Sequence, residues 1–308
     1  MRIHIDSIYY SKREEDEMKK ILTIMLVLIL TLCGCSNGDN THKYADKLNT
    51  AINESTISYY SAEELIADYV VKDEENTEYL NYVKKMLRQF DQFDEYNSLN
   101  WEAFDKVKSI YWLDSQKVKN IPDGVDLDTW DAAYSKKLSG IIFFPKMSTY
   151  SSDQQFHVTT HELCHALLES SNEQKQNAFI IEGEVEFMAL VFSRMLEINP
   201  EPTYPNGVIT AQWLNLLFGS KEVFGAIINN RLDDLIDSVA GDGACHQINV
   251  GGGMAESNGS TVGRNAAIEV LCHLSKNLDK VYVGEEYLEY SATFEGVDTR
   301  YFKKILSS

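Results

Sequence analysis

The chain has 308 residues, 28 Lys plus Arg against 47 Asp plus Glu, a formal net charge of −19 and 44% apolar residues. That apolar share is enough for an ordinary core and excludes a disordered chain, and five Pro with 17 Gly exclude collagen-like and Pro-rich scaffolds. Nucleic acid is excluded as a partner, because binding a phosphate backbone needs a basic patch that no stretch supplies.

In chain order, Lys19 and Lys20 come first, followed by an apolar run over residues 21–32. A membrane-crossing helix needs about 20 apolar residues, so this shorter run reads as the apolar core of an export signal. Its end, Leu32-Cys33-Gly34-Cys35, resembles the lipobox of bacterial lipoproteins. The resemblance implies that Cys35 is diacylated and becomes the mature N-terminus. The expected division is a signal peptide over 1–34, with 18–34 the signal proper and 1–17 a start-site extension. A polar lipid-anchored tether over 35–42 follows, then a folded domain over 43–308 with a helical N-terminal subdomain at 43–110. The protein is thus expected at the cell membrane, held by its lipid on the extracytoplasmic face. The signal carries equal numbers of basic and acidic residues, so the acidity belongs to the folded body. Such a compartment permits a Cys245–Cys272 disulfide, although nothing in the sequence fixes the distance between them.

Apolar residues at three- and four-residue spacing predict helices over 42–53, 62–91, 101–110, 153–170, 176–197, 210–218 and 265–278. The short apolar run 140–144, closed by Pro145, predicts a strand, either buried or at an edge. Residues 281–283 and 287–294 are weaker strand candidates. The stretch 241–263 contains Gly251-Gly252-Gly253 but lacks the preceding strand, the Lys and the spacing of a phosphate loop, so it reads as a surface loop. The fold class expected is α+β, mainly helical, with a small sheet.

Chemistry concentrates in Thr160-His161-Glu162-Leu163-Cys164-His165. On a helix, residues four apart share a face, so His161 and His165 can offer two imidazoles to one metal ion. Glu162, about 100° round the helix, is placed to act as base towards water on that ion. Ser152 and Gln155 stand in capping-box register at the start of this helix, and the flanking residues are uncharged, as a buried helix requires. A catalytic zinc takes three protein ligands, and the next predicted helix offers Glu182, Glu184 and Glu186. Glu182 and Glu186 share a face, whereas Glu184 points about 160° from Glu182. His157, one turn before His161, reads as a surface residue or a partner of the site, and Cys164 as a small core residue.

Over roughly residues 140–190 the chain resembles the gluzincin metallopeptidases of the zincin superfamily, whose second helix begins with a Glu that ligates zinc and often carries another acid four residues on. Residue by residue, this resemblance implies that Glu182, followed by Gly183, is the third zinc ligand and that Glu186 supports a ligand histidine. The interval from His165 to Glu182 is slightly shorter than in the best-known gluzincins, which leaves Glu184 as the alternative ligand. The class also uses a Tyr or His as donor to the developing oxyanion. His246 lies about as far beyond Glu182 as that donor does in one branch, and Tyr204, Tyr287, Tyr290 and His273 have the same chemistry. In zincin folds an edge strand beside the metal helix pairs with an extended substrate, a role open to residues 140–144.

The sequence thus leads to an α+β, mainly helical, zincin-like fold with a small sheet beside the HExxH helix. The expected activity is Zn2+-dependent hydrolysis of peptide bonds, with a peptide or protein as substrate and the membrane as a partner through the lipid anchor. The rival from another class is a non-catalytic surface lipoprotein that retains the scaffold and binds a partner. A zinc hydrolase acting on a non-peptide bond fits the same residues.

Overall fold

The computed structural model describes residues 66–74, 76–114, 117–118, 127, 130–170 and 177–277. The signal and tether with Cys35, the helix expected at 42–53 and the strands expected at 281–283 and 287–294, with Tyr287 and Tyr290, lie outside the described residues. Among those described, no helix is long and apolar enough to cross a membrane.

The first described element is β1 (Val70–Asp73), where a helix was expected. Two features override helical spacing here. The β-branched pair Val70-Val71 joins an antiparallel ladder with a later strand, and the Asp73 carboxylate then turns the chain by accepting from Asn76 N and Nδ2 at 3.1 and 2.6 Å. The helix proper is α1 (Thr77–Leu87), followed by α2 (Trp101–Lys106), which Asn100 caps through its side chain. The apolar run after α2 is β2 (Ser109–Leu113), not further helix. Strands β3 (Ala132–Ser135) and β4 (Gly140–Phe143) form a hairpin closed by a turn with Ser139 at φ 48°.

The four strands form a mixed sheet in the order β1-β2-β4-β3, with β2 and β4 parallel and the outer pairings antiparallel. β4 is therefore interior, and all four of its residues are buried, which explains its unbroken apolar run. Among the described residues, the open edge on the far side belongs to β3. One face of the sheet packs Leu113, Ala133 and Ile142 with Ile66, Leu127 and Phe144; α1 and α3 (Ser152–Leu167) also pack on the sheet.

Behind α3 stands a helical layer: α4 (Ala178–Met195), α5 (Pro205–Phe218), α6 (Ser220–Ile228), α7 (Leu232–Ala240), α8 (Ala244–Asn258) and α9 (Thr261–Asn277). α4 lies in the middle and is buried along most of its length, consistent with its apolar residues all round. It crosses α5 closely: a Cβ on Gly183 would sit 2.4 Å from the carbonyl oxygen of Gly207. Only glycine permits that approach, and it draws the start of α5 against the residue next to Glu182.

The stretch expected as a loop at 241–263 is instead mostly α8, bounded by the left-handed glycines Gly243 and Gly259. Its glycines serve packing. A Cβ on Gly251 would meet Gly263 O at 2.6 Å, and one on Gly252 would meet the Phe179 ring at 2.0 Å, so α8 presses closely on α9 and α4. Helix propensity and loop composition both lose to that close packing. Cys245 on α8 is a buried free thiol; the side chain of Cys272, its expected partner, lies outside what is described.

Candidate metal centre

α3 begins one residue earlier than a Ser152 cap would require. Ser151 is the cap, accepting from Gln154 N at 3.3 Å, while Gln155 turns back to the carbonyls of Met147 and Tyr150. The helix then carries His161, Glu162 and His165 into a cavity that Glu182 of α4 and Tyr204 also line. The two imidazoles lie edge to face with centroids 5.0 Å apart. Glu182 Oε2 lies 3.4 Å from His161 Nε2 and 3.5 Å from His165 Nε2.

Those spacings test the fit to a metal. A tetrahedral ion with ligand bonds of about 2.0–2.2 Å separates its ligand atoms by about 3.3–3.6 Å. The ligand atoms of His161, His165 and Glu182 all lie within 4.8 Å of one another, so this group could hold a metal ion. Burial disfavours charge on both histidines, yet the carboxylates outweigh it and raise both imidazole pKa values. Loss of solvent raises the pKa of the half-buried Glu182 too, but the two histidines outweigh it and hold the carboxyl well below the usual range. The pocket therefore favours an anionic oxygen facing two imidazoles, which suits a cation.

The surrounding groups fix these side chains. Glu186 Oε2 accepts from His161 Nδ1 at 2.7 Å, which leaves Nε2 facing Glu182. The resemblance implied a contact between Glu186 and a histidine of the site, and the two side chains do meet. His157 is fully buried and joins the same carboxylate, with Nε2 3.2 Å from Glu186 Oε1. Glu162 stands outside the ligand group, its Oε2 accepting from the backbone N–H of Tyr134 on β3 at 2.6 Å. Burial raises its pKa, against the pull of the neighbouring histidines.

Glu184 is not brought to the site. It is fully buried against α5, where Asn215 Nδ2 donates to its Oε2 at 2.6 Å, whereas Glu182 is the carboxylate that faces both His161 and His165. Burial pushes the Glu184 carboxyl up to about 8, with the Asn215 hydrogen bond opposing. The folded chain thus holds a proton that the unfolded chain loses between about pH 4.5 and 8, and stability falls as pH rises through that window. Glu184→Gln keeps the Asn215 contact without an ionisable group. Denaturant unfolding at pH 5 and pH 8.5 should show the variant gaining on the parent by on the order of a few kcal/mol at the higher pH. Equal pH dependence in the two proteins would refute it.

His246 is also not brought to the site: it is exposed on α8 and does not line the cavity, because the glycine-rich segment folded as a packed helix instead of looping back. His273 on α9 is likewise absent from the lining. Tyr204, at the start of α5, does line the cavity, its ring centroid 5.8 Å from that of His161. Burial first, then the carboxylates Glu182, Glu162 and Glu186, raise its pKa well above that of a free phenol, so the hydroxyl stays a donor. Cys164 is a buried thiol whose pKa burial raises strongly, as expected of a core residue.

Several cavity residues carry no signal in the sequence. β3 supplies Ala132 and Ala133 to the wall, and its neighbour Asp131 accepts from Tyr150 Oη at 2.6 Å and pairs with Lys146 at 2.7 Å. The strand is too short and too weakly alternating to stand out, and only Ser139-Gly140 hints at a hairpin turn. No family model matches the chain, and neither curated proteins nor solved structures give a match.

Proposed function

We propose that this protein is a zinc-dependent metallopeptidase with a gluzincin-like site on a zincin-like fold. One observation carries the reading: His161, His165 and Glu182 converge at ligand spacing in a cavity with Glu162 beside them. Two imidazoles and one carboxylate suit zinc among the divalent ions. When bound, zinc supplies a Lewis acid that acidifies water and polarises a carbonyl. Glu162 takes the proton as general base and returns it to the leaving amine. The Tyr134 amide holds one oxygen of that carboxylate in place, so the other is free to receive the proton. Tyr204 donates its hydroxyl to the oxygen on which charge develops.

A peptide is favoured as substrate by the edge of β3. The Tyr134 amide points out of the sheet towards Glu162, and by the alternation of a strand the backbone groups of Ala132 point the same way. An extended chain pairing there would lie along the wall of the cavity. Residues 140–144, the strand that sequence offered for this role, are interior and have no free edge.

The export signal and lipobox resemblance support attachment at Cys35 on the extracytoplasmic face of the membrane. Mass spectrometry of the membrane fraction should find a lipidated N-terminal peptide beginning at Cys35; an unmodified peptide spanning 32–36 would refute it. For the activity, the purified protein should cleave members of a mixed peptide library and stop on treatment with a zinc chelator. Bound zinc without cleavage of any peptide would favour the partner-binding scaffold.

A further inference from the structure

Glu186 supports more than one ligand's orientation. Its Oε2 accepts from His161 Nδ1 at 2.7 Å, while its Oε1 accepts from Thr203 N at 2.7 Å and faces His157 Nε2 at 3.2 Å. The other ring nitrogen of His157, Nδ1, lies 3.2 Å from Ser193 Oγ. Glu186, His157 and Ser193 are all fully buried. A carboxylate only accepts, so His157 presents an Nε2–H to it, and in the neutral ring Nδ1 then accepts from the Ser193 hydroxyl. The donors run in one direction: Ser193 to His157, His157 to Glu186, and His161 to Glu186 from the other side. Thr203 precedes Tyr204, so the same carboxylate also tethers the segment that brings Tyr204 to the cavity.

We propose that His157 is a positioning residue of the metal centre: braced by Ser193, it fixes Glu186, which in turn orients the ligand His161 and anchors the Thr203–Tyr204 segment. The proposal rests on the metal-site reading and extends it to a histidine that is not among the three ligands. A buried histidine kept only for packing volume would be replaceable by a ring of similar shape. One kept for its N–H would not, because the loss takes one of two donors from Glu186 Oε1, leaves Thr203 N as the other, and loosens the carboxylate that orients His161.

The test is zinc affinity by competition with a chromophoric chelator, together with the absorption spectrum of the Co2+ form, in the full protein. His157→Phe keeps a planar ring without the donor and should weaken zinc binding about tenfold, the low end of losses seen when an outer partner of a ligand is removed. His157→Gln restores an N–H near the Nε2 position and should recover most of that loss. Ser193→Ala, which frees the His157 tautomer, should shift affinity in the same direction by less and alter the Co2+ spectrum. If His157→Phe fails to fold, Ser193→Ala and His157→Gln still decide. Parental affinity and spectrum in Ser193→Ala and His157→Phe would overturn the brace while leaving the metal site standing. So would a Gln variant as weak as Phe. A parent protein that binds no zinc would overturn the metal reading and the brace together.

Discussion

Glu162→Gln is expected to keep the metal and the fold and to lose at least about 10²-fold in peptide hydrolysis, the share carried by a general base. Glu162 is outside the ligand group, and its Oε2 makes the hydrogen bond to Tyr134 N that an amide oxygen can also make. The substitution therefore removes proton transfer and little else. Zinc content and the melting temperature should match the parent, and kcat should fall without a comparable change in KM. Tyr204→Phe makes a useful contrast, since it removes an oxyanion donor and leaves the base intact, and its loss should also fall on kcat. A Glu162→Gln protein that cleaves peptides as fast as the parent would refute the mechanism.

The second large effect concerns the ligands. His161→Ala should lose both metal and activity, because it removes a ligand and leaves Glu182 and Glu186 facing each other across the vacated imidazole. Glu182→Ala should likewise cost at least about 10²-fold in zinc affinity, more than the loss of an outer partner costs. Glu184→Gln should bind zinc as the parent does, since its carboxyl is turned to Asn215 on the other side of α4. Elemental analysis of the three variants is the measurement. Zinc retained in Glu182→Ala and lost in Glu184→Gln would reverse the ligand choice.

The site was more legible than the fold around it. The four-residue spacing of His161 and His165, and of Glu182 and Glu186, translates directly into shared helix faces, so both helices and the placement of these side chains along them could be read. The same geometry turned Glu184 away. Legibility failed where tertiary contacts decide. Residues 241–263 have the composition of a loop, yet the close contacts of Gly251 and Gly252 make them a packed helix, and His246 goes to the surface with it. The strand pairing of Val70-Val71 with β2 overrode a helical spacing that runs on into α1. β3 is stabilised by pairing with β4, not by its own four residues, so the edge that flanks Glu162 was invisible in sequence. Tyr204 was one candidate among several until the Gly183–Gly207 crossing set the start of α5 beside Glu182. His157 shows the limit most simply: its spacing puts it above His161, but only the packing of α3 on α4 reveals the carboxylate and hydroxyl that hold it.

The central claim is that one zinc ion at His161, His165 and Glu182 makes this chain a peptidase. Its most direct test is to strip the purified protein with a chelator, then titrate zinc back while following cleavage of a peptide that the parent protein cuts. The account predicts activity that rises linearly and breaks at about one zinc per chain, with no rise in His161→Ala. Zinc taken up to one equivalent without any cleavage, or cleavage that persists in the stripped protein, would contradict it.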